Sequence, residues 1–144
     1  MKIIASILAI TFLSFAAVAQ KKSDAPIFKF EETTHDFGNV KEGPDATFDF
    51  KFKNVGKTPL IIQNCSASCG CTTPKWSTNP IMPGKTGVIT VKYSTKGRIG
   101  TINKTVYIQS NAESLKERYE LYIKGAVIPE SKIGPGVKMN PSAQ

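Results

Sequence analysis

The stretch Thr47-Phe48-Asp49-Phe50-Lys51-Phe52-Lys53 decides the fold class. Phe48, Phe50 and Phe52 alternate with Asp49, Lys51 and Lys53, so an extended chain has one aromatic face and one charged face. Such alternation marks a half-buried β-strand, because successive side chains leave a strand on opposite sides. Downstream, Asn54-Val55-Gly56-Lys57 supplies turn residues, and Pro59 begins an apolar run, Leu60-Ile61-Ile62, that leads into a cysteine-bearing segment. Upstream, 27–31 and 34–37 read as a first, broken strand, with Gly38, Gly43 and Pro44 marking the turn after it.

The same pattern continues toward the C-terminus. Thr72 to Trp76 reads as a short strand, followed by a loop through Asn79-Pro80 and the turn pair Pro83-Gly84. In 87–94, Ile89, Val91 and Tyr93 share one face and Val88, Thr90 and Lys92 the other. Lys96 to Gly100 is a glycine-framed turn. Residues 103–110 place Val106 and Ile108 against Thr105, Tyr107 and Gln109, with Lys104 interrupting the apolar face and expected at the strand's edge. A polar connection, 111–118, leads to a last strand, 119–127, burying Leu121, Ile123 and Val127. Seven strand-like segments between residues 27 and 128 predict an all-β protein, an immunoglobulin-like antiparallel β-sandwich. The inter-sheet cysteine pair of antibody domains is missing, and Trp76 follows the cysteines, so any disulfide is local. Residues 129–144 hold Pro129, Gly134, Pro135, Gly136 and Pro141 and read as a flexible tail.

The N-terminus predicts export. Met1-Lys2 is followed by an apolar run to Phe15 and by Ala17-Val18-Ala19, an Ala-x-Ala that places cleavage before Gln20. The apolar core is shorter than the about 20 residues of a membrane span, so residues 1–19 are expected to be a signal peptide that leaves no stable membrane anchor. No cysteine lies near the cut to carry a lipid. The whole chain has a net charge of +8, spread over scattered lysines. A diffuse basic surface on an exported protein favours anionic partners, such as envelope phosphate or acidic glycans, over nucleic acid. The expected location is periplasmic or secreted.

All three cysteines fall in Asn64-Cys65-Ser66-Ala67-Ser68-Cys69-Gly70-Cys71-Thr72-Thr73-Pro74. An odd number in an oxidising compartment leaves one thiol over. Cys65 with Cys69 or Cys71 is the geometrically easy bridge, closing about five to seven residues and contributing roughly 2 kcal/mol. A bridge from Cys69 to Cys71 is tighter, strained and easily reduced, and Gly70 would ease it by tolerating positive φ. The bland reading is a stapled or packed loop at one end of the sandwich. The sharper one is a redox or Cu(I) site on the Cys65–Cys71 loop, with Met82 as a possible thioether ligand. Zinc fits less well, since His35 is the single histidine. His35-Asp36 sketches a base and orienter for Cys71 or a serine, but a lone histidine here reads as structural. Trp76 reads as a core plug beside the cysteine loop.

These residues resemble a known family. Asp36-Phe37-Gly38, Gly43, Phe50 and Phe52 before Asn54 and Gly56, Pro59-Leu60, Ser68-Cys69-Gly70-Cys71-Thr72, Pro83-Gly84, Gly100, Ser110-Asn111 and Lys124-Gly125 are similar to the exported bacterial Domain of Unknown Function 1573. The resemblance implies an immunoglobulin-like sandwich akin to Hydin and major-sperm-protein domains, with no established activity, cofactor or catalytic residue. Cys69 and Cys71 match the family's core; Cys65 is less regular. The function expected is a non-enzymatic envelope module, without cofactor, whose edges and loops meet an envelope protein or an anionic glycan. The alternative is a thiol redox or Cu(I)-binding protein using Cys65, Cys69 and Cys71.

Overall fold

The computed structural model describes residues 24–113, 118–129 and 131; the expected signal peptide, 1–19, and most of the expected tail, 129–144, lie outside them. Eight strands follow one another: β1 (Phe28–Phe30), β2 (Thr34–Lys41), β3 (Ala46–Asn54), β4 (Ile62–Ala67), β5 (Thr72–Trp76), β6 (Thr86–Tyr93), β7 (Gly100–Ser110) and β8 (Tyr119–Ile128). They form two four-stranded sheets, β1-β3-β6-β5 and β2-β8-β7-β4, packed as the sandwich that the alternation predicts.

The decisive stretch lies in β3, paired with β1 on one side and β6 on the other. Phe50 and Phe52 are wholly enclosed, while Asp49, Lys51 and Lys53 face solvent. Ile89 and Val91 of β6 point inward beside them and meet Ile102, Val106, Ile108, Leu121 and Ile123 of the opposite sheet. Burying each phenylalanine contributes roughly 2–3 kcal/mol, which is what holds this parity inward. Phe28, Phe30, Phe52 and Tyr119 extend the core as an aromatic cluster, Phe28 standing edge-on to Phe52 at 4.9 Å.

Three expectations need correction. The single broken first strand is two strands in different sheets: β1 pairs antiparallel with β3, whereas β2 pairs parallel with β8. The chain changes sheets at 31–33, so one pair of an otherwise antiparallel sandwich runs parallel. Gly38 is no turn but sits in a bulge within β2, where the register against β8 slips between Asp36 and Asn39. Gly38 has φ 62°, its N–H donates to Asp36 Oδ1 at 2.8 Å, and opposite it Gly125 of β8 has φ 147°. A Cβ on Gly125 would come within 2.7 Å of the Gly38 carbonyl oxygen, so the bulge and the glycine fit as a pair. Lys104 is the third: β7 starts at Gly100, which puts Lys104 in mid-strand opposite Ile123. It shares the inward parity of Ile102 and Val106, which are fully buried, yet is itself only half-buried.

The two ends of the sandwich are closed differently. At the end where β3 finishes, Asn54 is fully buried. Its Nδ2 donates to the carbonyls of Thr58 at 2.8 Å and Ile81 at 2.9 Å, and its Oδ1 accepts from the N–H groups of Ile27 at 3.3 Å and Gly56 at 3.0 Å. At the end where β3 begins, buried Thr95 donates to the Pro44 carbonyl at 2.7 Å and accepts from the Gly43 N–H at 2.9 Å. The cysteine turn lies at this second end, where the Ser94 N–H donates to the Cys71 carbonyl at 2.9 Å.

Candidate functional site

The cysteine segment is the crossover between sheets, with β4 in one and β5 in the other. Cys65 is therefore not on a loop. It sits in mid-β4 opposite Ile108, buried on the same inward face as Ile62 because a register shift between Ile62 and Asn64 offsets the alternation. Burial pushes its thiol up to about 12, so it stays protonated and non-nucleophilic at any physiological pH. The expected bridge from Cys65 to Cys69 or Cys71 does not form, because the ladder to β7 holds Cys65 in the core before the turn begins. Cys69 and Cys71 are bridged instead, with Cα atoms 5.2 Å apart, within the ordinary span of a disulfide.

Backbone contacts pin the turn around that bridge. The Ser68 N–H donates to the Thr105 carbonyl at 2.9 Å, Ser68 Oγ accepts from the Thr105 N–H at 3.1 Å, and the Thr72 N–H reaches the Cys69 carbonyl at 3.2 Å. The Thr72 hydroxyl lies 3.5 Å from Cys69 Sγ and 3.8 Å from Cys71 Sγ. Gly70 does not adopt positive φ, and a Cβ there would meet nothing, so the turn forms without the conformational freedom expected of it. Cys71 is buried and Cys69 half-buried, which leaves Cys69 as the sulfur nearer solvent.

The other site residues weighed in the sequence are not gathered here. Met82 precedes β6, while Thr72 pairs with Tyr93 at that strand's far end, a distance of roughly 25 Å along an eight-residue strand. A Cys-Met copper set is therefore excluded by topology, and among the described residues no group of three His, Cys, Asp or Glu side chains could hold a metal. His35 and Asp36 are adjacent on a strand and so face opposite ways. His35 turns inward, stacked on Phe48 at 3.5 Å and edge-on to Phe37 at 4.8 Å. Asp36 turns outward, toward the Gly38 N–H and Lys124 Nζ. Burial lowers the His35 pKa despite the nearby carboxylates of Glu32 and Asp36, and its Nε2 has no hydrogen-bond partner among the described residues. Trp76 is partly buried against Ile89 at the end of β5 away from the disulfide, so it packs the core but not beside the cysteines.

A feature that sequence reasoning missed lies on the outer face of the second sheet. Asn64 of β4 stands opposite Gln109 of β7, and Ser66 opposite Tyr107. Arg118, just before β8, lays its guanidinium over the Tyr107 ring at 4.0 Å. These five side chains line an open hollow of about 220 Å³. The polar parity of Thr105, Tyr107 and Gln109 was visible in the sequence; the cross-strand register that adds Asn64 and Ser66 was not.

Several solved structures share this architecture at low identity. A protein of unknown function from Porphyromonas gingivalis W83 superposes with a TM-score of 0.61 at 16% identity, over 72% of this chain and 49% of that one. The PapD-like domain 7 of human CEP192 gives 0.61 at 10%, over 77% of this chain and 92% of that one. The secreted serine protease VesC from Vibrio cholerae gives 0.55 at 14%, over 70% of this chain and 23% of that one. The chain thus spans about half of the Porphyromonas protein and under a quarter of the protease, and at these identities the likeness shows the fold alone. No curated protein matches the sequence. The profile of the protein family of unknown function DUF1573 matches residues 28–127, nearly the whole sandwich from β1 to β8, and the chain belongs to that family.

Proposed function

We propose that this chain is a non-enzymatic, exported module of the cell envelope that works by binding, with an envelope protein or an anionic glycan as its partner. The observation that carries the reading is the sequestration of its reactive side chains. Cys65 is buried and protonated, Cys69 and Cys71 are joined to each other, and the imidazole of His35 is packed between aromatic rings. What meets solvent is a basic surface of strands and short turns, suited to recognition. Crosslinking in intact cells, with fractionation, tests this: a specific partner is expected in the envelope fraction, and recovery only from the cytoplasm would sink the proposal.

A second reading rests on the half-buried Cys69. An external dithiol attacking Cys69 Sγ would release the Cys71 thiolate, and a second attack would complete a two-electron reduction of the bridge with oxidation of the dithiol. Thiol counting separates the two. A binding module should show no reactive thiol when native, one when denatured and three after reduction. Opening of the bridge by mild thiols without unfolding would favour the redox role.

A further inference from the structure

We propose that the hollow on the outer face of β4 and β7 is a binding site for an acidic carbohydrate, an oligosaccharide carrying uronate carboxylates. This deepens the binding reading above and rests on it. Five side chains form the site, Asn64, Ser66, Tyr107, Gln109 and Arg118, and four are held in place by strand register. The two cross-strand pairs set two amides, a hydroxyl and a phenol on one patch, and amides and hydroxyls both donate and accept hydrogen bonds. That capacity matches the vicinal hydroxyls of a sugar. The lining is mainly polar, unlike the mostly apolar pockets that take drug-like or peptide side chains.

Arg118 supplies the charge preference. Its guanidinium is stacked on Tyr107, which orients the planar fork, and no ion pair joins it to another of the described residues. A pre-oriented fork suits a carboxylate through two parallel hydrogen bonds. Glu120 stands opposite Tyr107 on the β8 side and accepts a hydrogen bond from the Tyr122 hydroxyl. The five lining residues thus carry neutral hydrogen-bonding groups and a single charge, that of Arg118, with Glu120 outside the lining. Stacking of Arg118 also covers one face of the Tyr107 ring, so recognition runs through the fork and the amides.

The test is a titration of the isotope-labelled protein with tetragalacturonate, followed by NMR, alongside galactotetraose, acetate, inorganic phosphate and tetra-aspartate. Tetragalacturonate should shift the backbone signals of Asn64, Ser66, Tyr107 and Gln109 saturably, and galactotetraose should bind about tenfold more weakly or worse, having lost the charged contact. Arg118→Ala should weaken tetragalacturonate binding by about tenfold or more, and Arg118→Lys should restore only part of it because lysine lacks the fork. Arg118 is exposed, so both variants should keep the native spectrum elsewhere. Absence of shifts at these residues, equal binding of galactotetraose, or an unchanged affinity in Arg118→Ala overturns the proposal. Acetate or phosphate binding as tightly as the oligosaccharide shows a simple anion site and also overturns it, as does equal binding of tetra-aspartate. If the titration fails while crosslinking still recovers an envelope protein, the inference falls and the binding reading stands.

Discussion

At one end of the sandwich the Asn54 amide serves four backbone groups drawn from three segments, the approach to β1, the turn after β3 and the loop before β6. At the other, Cys69 and Cys71 are joined covalently, and Thr95 ties the loop before β3 to the turn after β6. The covalent closure is the more conspicuous, yet it links residues only two apart and so removes little entropy from the unfolded chain. The hydrogen bonds to Ile27 and Ile81 each span 27 residues, and every group involved is costly to leave unpaired once buried. A neutral amide can therefore matter more to stability than a disulfide.

The strongest way to break this comparison is Asn54→Asp. It turns the Nδ2 donor into an acceptor facing two carbonyl oxygens, and it buries a charge. A loss of about 3–5 kcal/mol is expected, read from urea unfolding. A loss below about 1 kcal/mol would show that the hub is decoration. The matching change at the other end, Cys69→Ser with Cys71→Ser, should cost about 1.5 kcal/mol on the chain-entropy model and leave the fold intact. If the ranking of the two variants reverses, the disulfide is the true closure.

A subtler test contrasts Asn54 with His35, which is also buried but has Nε2 unpartnered among the described residues. Burial lowers its pKa below 6.5, so the unfolded chain takes up the proton first as pH falls. The contribution to stability is whole above pH 6.5, shrinks as pH drops through the folded-state value, and is gone below it. His35→Phe keeps a ring on Phe48 and cannot be protonated, so the difference between variant and parent should change only in this acidic window. A pH-independent difference would show that His35 does not titrate as its burial requires. The smallest effect is expected from Gly70→Ala, within about 0.5 kcal/mol, since nothing crowds a Cβ there. A larger loss would mean that the cysteine turn does need glycine.

Parity was the readable part of this fold. The faces of β3, β6 and β8 follow from alternating residues, and Phe50, Ile89, Val91, Leu121 and Ile123 are buried as their alternation predicts. The site was less readable. The sequence drew attention to Cys65, Cys69 and Cys71 as one loop, but the strand containing Cys65 runs on past the apolar residues that announced it, through Asn64 and Ser66, whose polarity resembles a turn. Their pairing with Gln109 and Tyr107 makes them the outer face of a sheet. Asn54 was read as a turn residue, and nothing near it in sequence signals that Ile27 and Ile81 will come to its amide.

By itself the sequence determined that this protein is an all-β sandwich, which residues face inward, and that at least one of its three cysteines lies outside any bridge formed within the chain. These follow from local rules, the two-residue repeat of an extended chain and the chemistry of an odd thiol. Only the tertiary structure decided that the chain changes sheets between β1 and β2, that Cys65 is the free thiol, and that Arg118 overhangs Tyr107. Each of these depends on which distant strand becomes a neighbour and in what register. That choice is made by packing two sheets face to face, and no stretch of neighbouring residues encodes it.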